Sequence, residues 1–209
     1  MEKKSRIKKE RRAEKLTTHS KLPQRDLLKI IAQADNIFKR LTTPKTLTEP
    51  IINFCKAISD LPPFFLECEP EPWSRLGCCD SNVIEYIRLN KKGESTFGYR
   101  IWVSGNDYIE AESHAIWKHE MVYRDVSFSP DGEKRILFLP VSSNFSGSFD
   151  SVPKKIRHAF SKEHAQTLQD YEKYERQYVN YIEMPRDEAW NKMQTYEQWQ
   201  ASQHMKPIL

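Results

Sequence analysis

Apolar residues recur at helical spacing in the first third of the chain. Residues 25–41 place leucine, isoleucine, alanine and phenylalanine three or four positions apart, which predicts an amphipathic helix. A second helix is expected to begin near Thr48, which suits an N-cap, with Pro50 in its first turn. A pair of prolines then ends this helix, and residues 64–69 (FFLECE) predict a short strand.

The clearest strand pattern lies in the middle of the chain. Residues 95–104 and 107–117 are strand-like in composition and alternation. Gly105 and Asn106 separate them, and both residue types readily adopt the positive φ of a tight turn. Together these features predict a β-hairpin.

A second hairpin is expected directly after the first. Residues 120–128 and 134–140 are strand-like and flank the turn sequence SPDG. An apolar helix at about residues 82–90 precedes both hairpins. The order predicts an α+β fold, in which an antiparallel sheet of about four strands carries this helix and further helices flank it at both ends of the chain.

A long charged helix is predicted over residues 154–183, followed by a short helix within 190–204. Four tyrosines share one face of the long helix: Tyr171, Tyr174, Tyr178 and Tyr181. Such a stripe stacks nucleic-acid bases in some proteins, but more often it packs a helix on its own domain.

Charge is concentrated at the N-terminus. Residues 1–15 hold eight lysines or arginines and three glutamates, a local charge of +5, which leaves −1 for the remainder of a chain whose total is +4. A basic segment of this kind would attract nucleic acid or an acidic membrane surface, or it would simply be a solvated segment. We divide the chain into a basic flexible tail (1–20), an α+β domain (21–150) and a C-terminal helical extension (151–209).

Several classes of protein are disfavoured by composition. The first residues lack the apolar stretch of a secretory signal, and nowhere do 18 apolar residues run together, so we expect a soluble cytoplasmic protein without a membrane span. The cysteines form no CxxC pair, which argues against structural zinc and a disulfide framework: Cys55, Cys68, Cys78 and Cys79. No cofactor or metal is predicted, and the oligomeric state is left open.

Polar side chains occupy one face of the predicted strand 107–117. The period of two places Glu110, Glu112 and His114 on the same face, where desolvation makes unpaired polar groups costly. A functional site explains such a row, and a solvated sheet face is the alternative. These three residues would also suit a divalent metal, although the spacing is weaker evidence than a paired-histidine motif.

The segment GCCDSNV (77–83) leads into the apolar helix. Cys79 is expected just ahead of the first turn, where the helix dipole favours a thiolate. Asp80, Ser81 or Asn82 would each suit the N-cap, and Asn82 with the glutamate three positions later would form a capping box.

These residues suggest an activated cysteine nucleophile. Asp125, in the middle of the predicted strand 120–128, would face His114 across an antiparallel pairing. Cys79 would then attack a carbonyl, His114 would act as general base and then acid, and Asp125 would orient the imidazole. The backbone N–H of Cys79 is one expected oxyanion donor, and the second is not identified.

Supporting roles and alternatives concern the neighbouring residues. Glu110, Glu112, Asn82 and Trp73 are expected around the triad as supporting or wall residues. In the alternative, His114 is a hydrogen-bonded structural histidine, and the remaining cysteines are small buried apolar residues.

The chain order of a cysteine at a helix start, a histidine on one strand and an aspartate on the next resembles the papain-like and transglutaminase-like enzymes. The segments GCCDSNV, IEAESHAIW, RDVSFSP and RILFLP are similar to those of a group of short bacterial and phage proteins of uncharacterised activity. The resemblance covers about residues 73–140, and it selects Cys79 over Cys78 as nucleophile. The zinc-binding cysteine module of some such relatives has no counterpart in this chain.

Two classes of function follow. The resemblance and the candidate triad imply a cysteine-dependent acyl-transfer enzyme (protease, isopeptidase, deamidase, amidase or transglutaminase) with a protein or peptide substrate. The alternative is a noncatalytic module that binds nucleic acid or protein through residues 1–15 and the tyrosine-rich helix. Faster alkylation of Cys79 than of the other cysteines would favour the enzyme.

Overall fold

The computed structural model describes residues 23–39, 41–142, 144–179 and 184–201. These residues form the predicted α+β fold, with helices on both sides of the sheet segment in the sequence. The helices are α1 Gln24–Phe38, α2 Glu49–Ile58, α3 Cys79–Asn90, α4 Lys162–Tyr178, α5 Arg186–Lys192 and α6 Tyr196–Gln200. The strands are β1 Phe64–Glu67, β2 Glu94–Ser104, β3 Tyr108–His119, β4 Val122–Arg124, β5 Arg135–Pro140 and β6 Lys155–Ala159.

All six strands of the described residues belong to one antiparallel sheet, where the sequence predicted a sheet of about four strands and a further short strand at 64–69. The strand order is β1-β5-β2-β3-β4, and β6 also pairs with β3. The β2–β3 hairpin is the predicted one: Ser104 pairs with Tyr108 around a turn in which Gly105 has a φ of +57°. Glycine takes this left-handed conformation without the steric penalty of a side chain.

The predicted second hairpin is wrong in its pairing. Strand β5 lies between β1 and β2 and does not pair with β4. The run ILFL within β5 explains this position, because residues 136–139 are all fully buried. A strand buried on both faces belongs in the interior of a sheet, whereas a simple hairpin arm alternates between core and solvent.

Strand β3 organises the centre of the molecule. One of its faces packs under two helices: Ile109 and Ala111 join a cluster with α2, and Ala115 and Trp117 join a cluster with Val83 of α3. The edge of β3 that faces away from β2 pairs with two different strands. Strand β6 pairs with residues 108–112 and β4 with residues 117–119, so His114 lies between the two paired stretches.

The two ends of the sheet meet next to this position. Cys68, just after β1, forms an isolated parallel bridge with Asp125, just after β4. The N–H of Glu69 donates to the carbonyl of Asp125 at 2.7 Å, and the rings of Phe64 and Tyr123 lie 5.0 Å apart. The sheet therefore curls until its first and last strands make contact.

Two predicted boundaries differ in the structure. The long C-terminal helix begins at Lys162, and residues 155–159 of the predicted helix form β6 instead, because they extend the ladder along β3. The helix predicted near 82–90 begins earlier, at Cys79. The domain division at residue 150 stays a prediction, although β6 pairs with β3 across it.

Candidate active site

His114 and Asp125 form the best-defined contact of the site. The Nε2 atom of His114 lies 3.1 Å from Oδ2 of Asp125, and both side chains are almost completely buried. The two atoms lie within ion-pair distance, but their geometry is not that of a good hydrogen bond. Asp125 does not lie in mid-strand as predicted, because β4 ends at Arg124 and the backbone of Asp125 turns to meet Cys68.

The remaining contacts of Asp125 fix its carboxylate. Oδ1 accepts a hydrogen bond from the backbone N–H of Ser127 at 2.9 Å, and the thiol of Cys68 lies 3.6 Å from Oδ2. A carboxylate held on both oxygens presents a fixed orientation to the imidazole. This is the requirement for a residue that sets the direction of a catalytic histidine.

Cys79 is the first residue of α3 and lines the same cavity as His114. Its side chain is partly exposed and within hydrogen-bonding reach of the imidazole. As Asp125 takes Nε2, Nδ1 is the ring nitrogen left for the thiol. The backbone N–H of a first helical residue has no acceptor within its own helix, so that of Cys79 is available to an oxyanion.

The predicted caps of α3 are wrong. Cys78 occupies the N-cap position without a side-chain cap bond, and Glu85 pairs with Arg88 instead of reaching back along the helix. Asn82 turns away from the helix start. Its Oδ1 accepts from Arg75 N at 2.7 Å, and its Nδ2 donates to Arg75 O at 2.9 Å.

Asn82 instead joins the two segments that carry the site. Its side chain is fully buried, and Nδ2 also lies 3.3 Å from Oγ of Ser127, two residues after Asp125. A parallel link runs from Oγ of Ser74 to the carbonyl of Val126 at 2.6 Å. The loop before Cys79 and the segment after Asp125 are therefore held together by buried hydrogen bonds, which are costly to leave unmade.

The electrostatics of the site favour a charged imidazole. Burial lowers the pKa of His114, but the negative charges of Asp125 and Cys79 outweigh burial and raise this pKa from 6.5 to about 10. His114 therefore carries a positive charge at neutral pH beside the side chain of Cys79.

The other three cysteines lie in surroundings that disfavour ionisation of the thiol. Burial raises the pKa of Cys55 to about 12 and that of Cys78 to about 11. Burial and the neighbouring Asp125 raise the pKa of Cys68 further still. These three side chains remain neutral thiols at physiological pH, as expected of small buried residues.

A cavity of about 600 Å³ opens beside the triad. Helix α3, strands β2 and β3, and the segment 127–131 all contribute to its walls. The charged and aromatic side chains on β2 and β3 that line it are Arg100, Trp102, Glu110, Glu112 and His114. A cavity of this size has room for a few residues of a peptide.

Glu110 and Glu112 line this cavity, and both carboxylates already have partners. Glu110 accepts from the Tyr108 hydroxyl at 2.6 Å and from Nζ of Lys155 at 3.1 Å. Glu112 accepts from Nε1 of Trp102 at 3.0 Å and pairs with Lys155 at 3.3 Å. Among the residues that the structure describes, no group of three histidine, cysteine or acidic side chains has the geometry to hold a metal ion.

Trp73 does not join the site. Its ring packs 6.3 Å from that of Trp190 in α5, and it does not line the cavity. Arg100, Trp102 and Lys155 line the cavity although the sequence did not single them out as site residues. Two of them could have been found from the strand register, because Arg100 of β2 and Lys155 of β6 both lie opposite Glu112 of β3 in the sheet.

The tyrosine stripe of α4 is partly used in packing. Tyr171 meets Phe38 of α1 in an edge contact at 5.0 Å, and Tyr174 stacks on Tyr178 at 5.6 Å. Tyr181 and the basic residues 1–15 lie outside the described residues. Within the described part of the chain, every helix is too short or too polar to cross a membrane.

Comparison with protein-family models, curated proteins and solved structures gave no match in any of the three. The resemblance to papain-like and transglutaminase-like enzymes therefore stays a prediction from the sequence.

Proposed function

We propose that the protein is a cysteine-dependent acyl-transfer enzyme in which Cys79, His114 and Asp125 act as a triad. The observation that carries the proposal is the position of His114, between the carboxylate of Asp125 and the thiol of Cys79 at one cavity. The other three cysteines lie in surroundings that suppress ionisation. One thiol of four is thus equipped as a nucleophile.

The geometry supports a two-step reaction. In the proposed resting state the proton of the Cys79 thiol already lies on His114, and the thiolate sulfur attacks the substrate carbonyl to form a C–S bond. His114 then returns the proton to the leaving nitrogen as the C–N bond breaks, which yields a thioester. Water or an amine next attacks the thioester and frees the thiol, so the identity of this acceptor separates hydrolase from transglutaminase chemistry.

The fixed parts of the site support this sequence of proton transfers. Asp125 holds the imidazole through Nε2, and the Asn82 and Ser127 contacts keep the two segments of the site in register. The N–H of Cys79 would stabilise the oxyanion. A protein or peptide is the proposed substrate, and the cytoplasm is the proposed location.

The proposal is tested with activated acyl donors, because the natural substrate is not needed to detect the thioester. A panel of N-acetyl amino-acid p-nitrophenyl esters should acylate wild-type Cys79 and release p-nitrophenol catalytically. Cys79→Ser should fold normally and lose turnover by several orders of magnitude, because a serine hydroxyl stays protonated at neutral pH.

Cys78→Ser is the matched control. It changes the adjacent thiol, which is buried and neutral, so turnover should be retained. Wild-type turnover by Cys79→Ser, or acyl groups on other residues in the mass spectrum, would contradict the proposed function and favour a noncatalytic module.

A further inference from the structure

One cavity-lining cation has no counter-ion. Arg100 lies in β2 and is only 6% exposed, yet no described residue accepts a hydrogen bond from its Nε or Nη2. It lines the same cavity as Cys79 and His114. A buried guanidinium is normally paired, because removing a charge from water without compensation is costly.

The other cationic groups that line this cavity are paired. Lys155 lies 3.1 Å from Glu110 and 3.3 Å from Glu112. Asp80 lies 3.0 Å from Arg186, and His114 lies 3.1 Å from Asp125. Lys154 lies 3.6 Å from Asp150 at the surface. Among the described residues, Arg100 is therefore the buried cation at the cavity that retains unused donors.

Trp102 holds the Arg100 side chain in place but does not accept hydrogen bonds from its N–H groups. The guanidinium carbon lies 3.7 Å from the centre of the Trp102 ring, and that ring is fixed by its Nε1 bond to Glu112. A cation–π contact stabilises the charge from one side and leaves the planar N–H donors free. The side chain is thus oriented before any ligand arrives.

We propose that Arg100 binds a carboxylate of the acyl substrate, next to the bond that Cys79 attacks. The inference rests on the proposed function and names its substrate class: peptides or amides that carry a carboxylate close to the reacting carbonyl. The planar fork of a guanidinium matches the two oxygens of a carboxylate. Glu110 and Glu112 nearby disfavour a dianion such as phosphate, because a second negative charge would be repelled.

The carboxylate can come from the α-carboxyl group of a C-terminal residue or from an acidic side chain. Both present the same chemistry to Arg100, and three matched ligands distinguish them. N-acetylglutamine carries an α-carboxylate, N-acetylglutamic acid α-amide carries a side-chain carboxylate, and N-acetylglutamine amide carries none. Each is titrated as a protector of Cys79 against iodoacetamide.

A second experiment measures anion recognition at the sulfur. Iodoacetate and iodoacetamide both alkylate Cys79 with loss of iodide, and they differ in the carboxylate. The ratio of their rate constants cancels the fraction of reactive thiolate and reports the attraction of the anion alone. The imidazolium of His114 contributes to this ratio as well, so the effect of removing Arg100 is the informative quantity.

Arg100→Met should lower the iodoacetate-to-iodoacetamide ratio by about tenfold, because a charge-assisted hydrogen bond is lost. Lys154→Met is the matched control: it removes the same charge from the cavity wall, but from an exposed side chain that pairs with Asp150, and should change the ratio by less than about twofold. Arg100→Lys should give an intermediate ratio, because it keeps the charge and loses the planar fork. Arg100→Met should also fold, since it removes an unpaired buried charge.

The outcomes separate the two proposals. If iodoacetamide modifies Cys79 no faster than Cys55, the proposed function fails. If Cys79 reacts fast but Arg100→Met and Lys154→Met have equal ratios, Arg100 is not an anion site. Protection by one charged ligand, absent with the neutral ligand and lost in Arg100→Met, supports the inference and identifies the source of the carboxylate. Protection by no charged ligand overturns it.

Discussion

His114 is the residue on which the proposed chemistry of the site depends. Its ring lies between the fixed carboxylate of Asp125 and the thiol of Cys79, at a point where β3 has no neighbouring strand on that edge among the described residues. Burial alone would keep this ring neutral, and the two negative neighbours reverse that preference. The charge state of one imidazole therefore reports whether the triad is assembled.

Asp125→Asn tests this coupling. The amide still accepts from the N–H of Ser127 through Oδ1, so the fold should persist, but its neutral side chain removes one of the two charges that raise the His114 pKa. The pKa of His114 should fall from about 10 toward its ordinary value of 6.5, as measured by NMR titration of the ring. Activity should fall as well, because the same substitution in the triad of a serine protease lowers turnover by about four orders of magnitude.

The same substitution changes the pH dependence of stability. Because the folded-state pKa of His114 lies above its ordinary value, the proton stabilises the folded protein fully below pH 6.5, and this contribution is lost as the pH rises toward 10. Over this pH range the free energy of unfolding of the wild type should fall by at most about 1.4 kcal/mol per pH unit, and that of Asp125→Asn should fall by less. Urea titrations at pH 6.5 and pH 9 measure this fall for each protein. If the wild type and Asp125→Asn lost the same free energy of unfolding between the two pH values, Asp125 would not control the pKa of His114.

The sequence indicated the proposed triad more clearly than the residues around it. Cys79, His114 and Asp125 were singled out by residue type and order, and the structure places Cys79 and His114 at one cavity, with Asp125 in contact with His114. Arg100 was missed, because nothing in a strand sequence shows whether an arginine is paired. Trp73 was expected at the site, but its partner is Trp190, more than one hundred residues away.

At the scale of elements, α3 and the segment after β4 depend on one amide. Asn82 connects Arg75 to Ser127, and so connects the loop before the nucleophile to the residues beside Asp125. The sequence pattern predicted a capping role for Asn82, since asparagine near a helix start usually caps it. Its partner in the structure, the backbone of Arg75, comes within reach only when the loop before Cys79 folds back against the helix.

Asn82→Ala should destabilise the protein by about 2–4 kcal/mol, because it leaves the partly buried N–H and C=O of Arg75 without their side-chain partner and also removes a fully buried side chain. Asn90→Ala is the matched control on the same helix, where an exposed side chain bonds only to the carbonyl of Tyr86, and it should change stability by less than about 0.5 kcal/mol. Chemical denaturation of both variants gives the comparison. Similar values would show that the Asn82 contacts do not support the loop.

The pairing of strands shows where local pattern stops being informative. The β2–β3 hairpin follows from alternation and a glycine turn, which are local. The position of β5 between β1 and β2 and that of β6 beside β3 depend on which surfaces remain to be covered after the hairpin forms. The sequence of a charged segment such as 155–159 is compatible with a helix or a strand. It forms a strand here because it can pair with the edge of β3.

For the whole molecule, the decisive feature is the closure of the sheet. Cys68 and Asp125 come from opposite ends of the strand order and meet in one bridge, which places the carboxylate beside His114. Cys68 and Asp125 lie 57 positions apart in the chain, so short-range patterns do not reveal the contact. The predicted α+β class is correct, whereas the path that brings the triad together required the folded structure.

The most direct test of the proposed triad is the rate at which each of the four cysteines of the wild type reacts with iodoacetamide at pH 7, followed by peptide mass spectrometry. Cys79 should react at least about a hundredfold faster than Cys55, Cys68 and Cys78, whose pKa values are raised by burial. His114→Gln should remove most of this advantage while the protein stays folded. Equal rates at all four cysteines, or a Cys79 rate unchanged in His114→Gln, would contradict a Cys79–His114 catalytic pair.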